Sequence, residues 1–228
     1  MKDDTKHEDS PAAPTVRYER FEGGDVDERF LKRIAFIVEI DRLKQVFRQS
    51  YLMDSSRREN DAEHSWHLAT MAVLLADFAD EPVDLLTVIK MVLVHDLVEI
   101  DAGDTFCYDL EGHRDKAARE QAAADRLFAL LPADQGAELR GLWEQFEART
   151  SPEARFAAAL DRLQPLLCNY ATGGRAWREH GVRKEMILQR NAHIAEGSGT
   201  IWRYARAFID DAARRGWIAG EDREEKES

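Results

Sequence analysis

His95 and Asp96 sit side by side in a largely apolar run, VDLLTVIKMVLVHDLVEI, at positions 83–100. Leu, Val, Ile and Met recur on every face of that run at helical spacing, which predicts a buried helix rather than a surface one. Burying an imidazole and two carboxylates costs free energy unless something binds them. Asp96 and Glu99 are three apart and His95 and Glu99 four apart, so a helix turns all three toward one side. A salt bridge would need a cation, and Lys90 lies more than a turn away. A divalent metal would satisfy the group, so the cluster points to a metalloenzyme.

Partners for the pair must come from other elements. His64 and His67 fall in the first turns of a helix opened by Asn60, with Leu68 and Met71 extending the stripe inward. His67 reads as a packing or supporting group. Asp161 lies in FAAALDRLQPLL, whose alanine-rich flank permits close helix packing. An ion held by His64, His95, Asp96 and Asp161 would have two imidazole and two carboxylate ligands from three helices. Such mixed ligation suits a divalent manganese, cobalt, zinc, nickel, iron or magnesium ion, and the residues do not choose among them. No CxxC-like local motif pins the site.

The elements that position these residues all read as helices. Val26–Arg48 carries Phe30, Ile34, Ile37, Val38 and Leu43 on one stripe, and Asn60-Asp61-Ala62-Glu63 reads as a capping box opening a helix through Phe78. Pro82 and Asp84 start the apolar helix and Gly103 ends it. Asp115–Leu131 is amphipathic and stops at Pro132, and Ala133–Arg149 follows. Ser151 caps a helix over Glu153–Tyr170, with Pro152 in its first turn, a kink expected at Pro165 and Gly173-Gly174 at its end. Arg183–Ala195 and Thr200–Arg215 complete the set. The last of these carries an apolar stripe, Ile201, Trp202, Tyr204, Ala205 and Phe208, read as a surface for a second copy of the chain. No stretch alternates with period two, so the expected fold is a single all-α domain over residues 26–216, between a disordered tail (1–25) and a charged one (217–228).

Composition limits the function classes. A net charge of −12 over 228 residues argues against a nucleic-acid backbone as main partner, though a local basic pocket for one phosphate is allowed. The longest apolar run is too short and too charged to span a bilayer, and the first 25 residues lack the apolar core of a secretory signal. Cys107 and Cys168 are too few for a disulfide framework and read as reduced thiols of a cytoplasmic protein. The five tryptophans are most simply core or interface anchors.

Taken in order, RENDAEH (Arg58–His64), HDLVEIDAGD (His95–Asp104) and ALDRL (Ala159–Leu163) resemble the HD-domain metal-dependent phosphohydrolases, in particular the 5′-deoxynucleotidase branch. KAAREQAAADRLFALLP and LWEQFEARTSPEARFAAALDRL are similar to that branch too, so the likeness covers about Phe30 to Glu196. The resemblance implies an HD-type helical bundle with one divalent ion on His64, His95, Asp96 and Asp161. It also implies Glu99 and Asp104 as outer groups serving the reaction, and hydrolysis of a phosphomonoester, typically a deoxynucleoside 5′-monophosphate. An upstream arginine and an aromatic read the sugar in that branch. Here Arg48 is followed by Tyr51, with no adjacent tryptophan, and Arg57 matches a family arginine three residues before Asn60.

Arg48, Arg57 and Lys116 are the cations expected to meet a dianionic substrate. Glu99 would orient or deprotonate the attacking water, and Asp104 would protonate or position the leaving oxygen. The rival readings are hydrolysis of another phosphate ester or of guanosine tetraphosphate, a di-iron oxygenase, and a regulatory module with a structural metal. An oxygenase needs further histidines between Asp96 and Asp161, where only His113 stands. A structural metal has no use for outer carboxylates such as Glu99 and Asp104.

Overall fold

The computed structural model describes residues 26–108 and 114–218. The expected tail at 1–25, His113 and the end of the charged tail lie outside the described residues.

Asp27 caps the first helix, α1 (Glu28–Glu39), by accepting from the Phe30 amide at 2.6 Å. The helix expected to run to Arg48 stops well short. Ile40–Gln45 tightens into a 3-10 turn, Val46 becomes extended, and β1 (Phe47–Tyr51) pairs antiparallel with β2 (Arg58–Asn60). The apolar stripe read on this segment is displaced as well: Phe36 and Leu43 are buried, while Phe30 and Ile37 face solvent. The hairpin carries charge inward, with Arg48 half-buried on one strand and Glu59 buried on the other.

Asn60 opens α2 (Asp61–Leu75) with a complete capping box, its side chain accepting from the Glu63 amide while Glu63 accepts from the Asn60 amide. A 3-10 turn carries this helix to Phe78, and Asp84 caps α3 (Leu85–Val94). The long apolar helix is not continuous. After Val94 the chain tightens, with Leu97, Glu99 and Ile100 amides bonding three residues back, before α4 (Glu99–Ala102) closes at Gly103. Gly103 takes φ +74° and ψ 148°, a region essentially restricted to glycine. The tightening brings residues three apart into register, so Asp96 and Glu99 stack above one another.

Five elements follow: α5 (Lys116–Phe128), α6 (Ala133–Ala148), α7 (Pro152–Ala171), α8 (Arg175–Glu179) and α9 (Lys184–Asn191). Two more, α10 (Ile194–Gly197) and α11 (Gly199–Arg214), end the bundle. Ser151 caps α7 with Pro152 in its first turn, and the helix continues through Pro165 to Ala171. Pro165 has no amide hydrogen, so the Asp161 carbonyl loses its helical donor without ending the helix.

Helix α7 is the axis of the domain. Ala154, Ala157, Ala158 and Ala159 bring α2, α3, α6, α10 and α11 close to it, and Phe156 and Leu160 are fully buried between them. A second apolar group joins α1, α4 and α5 through Phe36, Ile100, Leu127 and Phe128. The fold is therefore a single-domain helical bundle with one two-stranded hairpin among the described residues. No described helix is long and apolar enough to cross a membrane.

Two expectations need correction at the C-terminal end. Ile201, Ala205 and Phe208 on α11 are buried in the core, leaving Tyr204 as the large exposed aromatic of that stripe. Burial against α7 is what their spacing encoded. Trp217 and Ile218, placed in the tail by sequence, pack on the same core.

Candidate metal centre

Two helices and one turn converge where α2, the segment after α3, and α7 meet. His64 Nε2 lies 3.0 Å from Asp161 Oδ1, and His95 Nε2 lies 3.1 Å from Asp96 Oδ2 and 3.7 Å from Asp161 Oδ1. His64 Nε2 stands 4.0 Å from Asp96 Oδ2. All four side chains are buried.

The imidazole protons are tied down on the far side of each ring. His95 Nδ1 faces the Val92 carbonyl at 3.0 Å, and His64 Nδ1 faces Gln164 Oε1 at 3.0 Å. Carbonyl oxygens only accept, so each Nδ1 must carry the hydrogen. In the neutral ring each Nε2 then presents a lone pair to carboxylate oxygens. That arrangement is repulsive unless positive charge sits between the groups, and His95 Nε2 is buried without a hydrogen-bond partner. Ligands about 2.0–2.2 Å from an ion stand about 3.0–3.6 Å apart in adjacent positions, so the 3.0 and 3.1 Å spacings fit a divalent cation, and the 3.7 and 4.0 Å spacings are wider than that range.

Electrostatics point the same way. Burial opposes protonation of His95, but Asp96 and Asp161 outweigh it and raise the imidazole to about 10. Burial with Arg48 nearby lowers His64 to about 4. The two carboxylates thus draw one positive charge to the His95 edge of the cluster.

Gln164 extends this support outward. Its amide nitrogen donates to Glu59 Oε1 at 2.7 Å, and His67 Nδ1 lies 3.3 Å from the same nitrogen. Glu59, Gln164 and His64 form a buried chain behind the cluster. Sequence reasoning passed over Glu59 and Gln164, although Gln164 is one helical turn beyond Asp161 on α7.

The acidic side of the site holds Asp61, Asp96 and Glu99, whose carboxylate oxygens lie within 4.8 Å of one another. Arg48 Nη1 reaches Asp61 Oδ1 at 3.0 Å and Asp96 Oδ2 at 2.8 Å. The cation that Lys90 is too distant to supply therefore arrives from β1, while Lys90 pairs with Glu138. Burial, reinforced by Asp96, Asp61 and Asp104, pushes the Glu99 carboxyl well above its usual range. Burial likewise raises Asp61 to about 7. Glu99 Oε2 has no partner.

A cavity opens beside the cluster, lined by His95, Asp96, Glu99, Asp104 and Asp161 from the ligand side. Arg48 and Lys116 line it as well, Lys116 held by Glu120 at 2.6 Å. Asp104 follows Gly103 at its rim, its carboxyl raised by burial against the pull of Arg48. Arg57 stands apart. It is exposed, outside the cavity lining, and bound to Glu63 at 2.5 and 2.8 Å. Its position just before the capping box sends its guanidinium to the helix start rather than to the site.

The comparisons with known proteins agree with this geometry. The HD domain family model matches residues 40–202, and the chain belongs to the HD domain family. A 5′-deoxynucleotidase HDDC2 of Bos taurus is 31% identical over 135 residues, covering 59% of this chain and 64% of that protein. Its Homo sapiens counterpart is 30% identical over 135 residues, covering 59% and 65%. Each match thus spans less than two thirds of the relative's length. The crystal structure of a predicted metal-dependent phosphohydrolase from Magnetospirillum magnetotacticum MS-1 superposes with a TM-score of 0.81 at 55% identity, over 84% of this chain and 96% of that one. A Pyrococcus horikoshii protein, PH0347, shares the fold at 20% identity with a TM-score of 0.54, over 79% of this chain and 98% of that one.

Proposed function

We propose that the chain is a metal-dependent phosphohydrolase that removes the 5′-phosphate from deoxynucleoside or nucleoside monophosphates. One observation carries the reading: two imidazole Nε2 atoms, their protons held elsewhere, face the carboxylates of Asp96 and Asp161 at hydrogen-bonding to near-contact distance beside a cavity. The 5′-deoxynucleotidase relatives supply the substrate class.

His64, His95, Asp96 and Asp161 hold the ion, which when bound polarises a phosphoryl oxygen and lowers the pKa of a bound water from 15.7 toward about 7. Glu99, buried next to Asp96 with a free carboxylate oxygen, takes the proton from the attacking water. Burial and the Asp96, Asp61 and Asp104 charges raise its carboxyl, the direction that strengthens its affinity for a proton. Asp104, on the cavity wall past Gly103, delivers a proton to the leaving 5′-oxygen. Arg48 holds Asp61 and Asp96 in place, and Lys116 adds positive charge at the wall.

The proposal includes a homodimer in the cytoplasm with no nucleic-acid partner. Exposed Trp66, Val73 and Leu74 on α2 and Leu86 and Leu93 on neighbouring α3 support self-association. The unpaired Cys107 and Cys168 thiols suit a reducing compartment. The net charge of −12 suits small-molecule work.

The experiment is a screen of phosphomonoesters with chelated and metal-loaded protein. Chelation should abolish hydrolysis of deoxynucleoside 5′-monophosphates, and manganese or cobalt should restore it. Activity that survives thorough chelation would refute the mechanism.

A further inference from the structure

A phosphate dianion entering this cavity needs positive charge, and the cations singled out by sequence are already engaged. Arg48 is shared between Asp61 and Asp96, Lys116 is bound to Glu120, and Arg57 is outside the cavity with Glu63. Two other arginines line the cavity: Arg162, the residue after ligand Asp161 on α7, and Arg190 near the end of α9. The Nε of each is buried and has no hydrogen-bond partner. Arg162 Nη2 holds Asp161 Oδ2 at 2.8 Å, which places its guanidinium against the ligand cluster. Arg190 makes no ion pair among the described residues.

We propose that Arg190 and Arg162 form the anion subsite that takes the phosphoryl group of the substrate. The proposal rests on the phosphohydrolase reading and adds to it the residues that neutralise the dianion. Two guanidinium groups facing one cavity repel each other, and Arg190, with the Cys107 sulfur as a hydrogen-bond partner and the Asp161 charge nearby, has no carboxylate in ion-pair contact to offset the loss of water. An oxyanion between them removes both penalties, and the planar fork of arginine matches its oxygens. Burial and the neighbouring Arg162 charge together lower the basicity of Arg190, consistent with a desolvated cation awaiting an anion. Glu99 and Asp104, the groups assigned to proton transfer, line the same cavity as the two arginines that would take the phosphoryl oxygens.

The test measures inorganic phosphate binding to metal-loaded full-length protein by titration calorimetry, alongside KM and kcat for a deoxynucleoside 5′-monophosphate. Arg190→Met should weaken phosphate binding and raise KM by roughly ten- to a hundredfold with metal content unchanged. Arg190→Lys keeps the charge but loses the fork, and should fall between the two; it decides the matter if the methionine variant does not fold. Phosphate affinity at the wild-type level in the folded variants would overturn the subsite while leaving the phosphohydrolase reading intact. So would weakened binding of the product nucleoside with phosphate binding untouched, because Arg190 would then read the leaving group. Absence of phosphate binding to the wild-type protein overturns it too. Conversely, phosphate binding lost on substitution in a protein that hydrolyses no 5′-monophosphate would keep the subsite and sink the reaction.

Discussion

Gln164 Oε1 lies 3.0 Å from His64 Nδ1, and through this contact a residue outside the proposed ligand set decides which imidazole nitrogen faces Asp161. Gln164 is itself oriented by Glu59, whose Oε1 accepts from its amide nitrogen at 2.7 Å. Replacing Gln164 by Leu leaves His64 free to move its proton to Nε2 and to rotate. Metal affinity, measured by competition with a chromogenic chelator, should fall roughly 10–100-fold. Unchanged affinity would remove Gln164 from the account.

Glu99→Gln tests the proton acceptor. The amide keeps the shape and removes the basic oxygen. Metal content should stay at the wild-type level while kcat falls about 10²–10⁴-fold. A variant with normal turnover would exclude Glu99 from the chemistry.

Gly103→Ala tests the turn that delivers Asp104. A Cβ there meets nothing within 4 Å, so any cost comes from the backbone conformation, φ +74°. Chemical denaturation should show a loss of about 1–3 kcal/mol. Turnover should fall as well if Asp104 is displaced from the cavity rim.

Arg48 and Arg57 should behave as opposites. Arg48→Met strips the cation from buried Asp61 and Asp96 and should destabilise the protein by about 3–5 kcal/mol. Arg57→Ala breaks an exposed, solvent-screened pair with Glu63, and should leave stability nearly unchanged and KM within error. A large rise in KM for the Arg57 variant would show that its guanidinium reaches the substrate after all.

Much of the bundle was legible because its signals are local. The Asn60–Glu63 capping box, the Ser151-Pro152 start and Gly103 each act through neighbouring backbone groups, and each lies at the boundary it marks. The β-hairpin was not legible. Phe47–Tyr51 is short and carries Arg48 inward, so its pattern reflects a distant acidic cluster rather than an apolar alternation. The break after Val94 escaped for a similar reason, since an apolar helix and a tightened turn share the same composition. His95, Asp96 and Glu99 stood out because polar residues in an apolar run require a reason. Glu59, Gln164 and Arg190 carry no such contrast in their own segments, and only the packing of β2, α7 and α9 reveals what they face. On α11 the apolar stripe was visible, but a stripe alone does not tell a core face from a partner face.

The most direct test is metal content by elemental analysis after chelation, reconstitution with manganese and desalting. The wild-type protein should retain one ion per chain, and His95→Ala and Asp161→Ala should each retain almost none while remaining helical by circular dichroism. A wild-type chain that retains no ion, or folded variants that retain a full equivalent, would contradict the assignment of His64, His95, Asp96 and Asp161 as the metal centre.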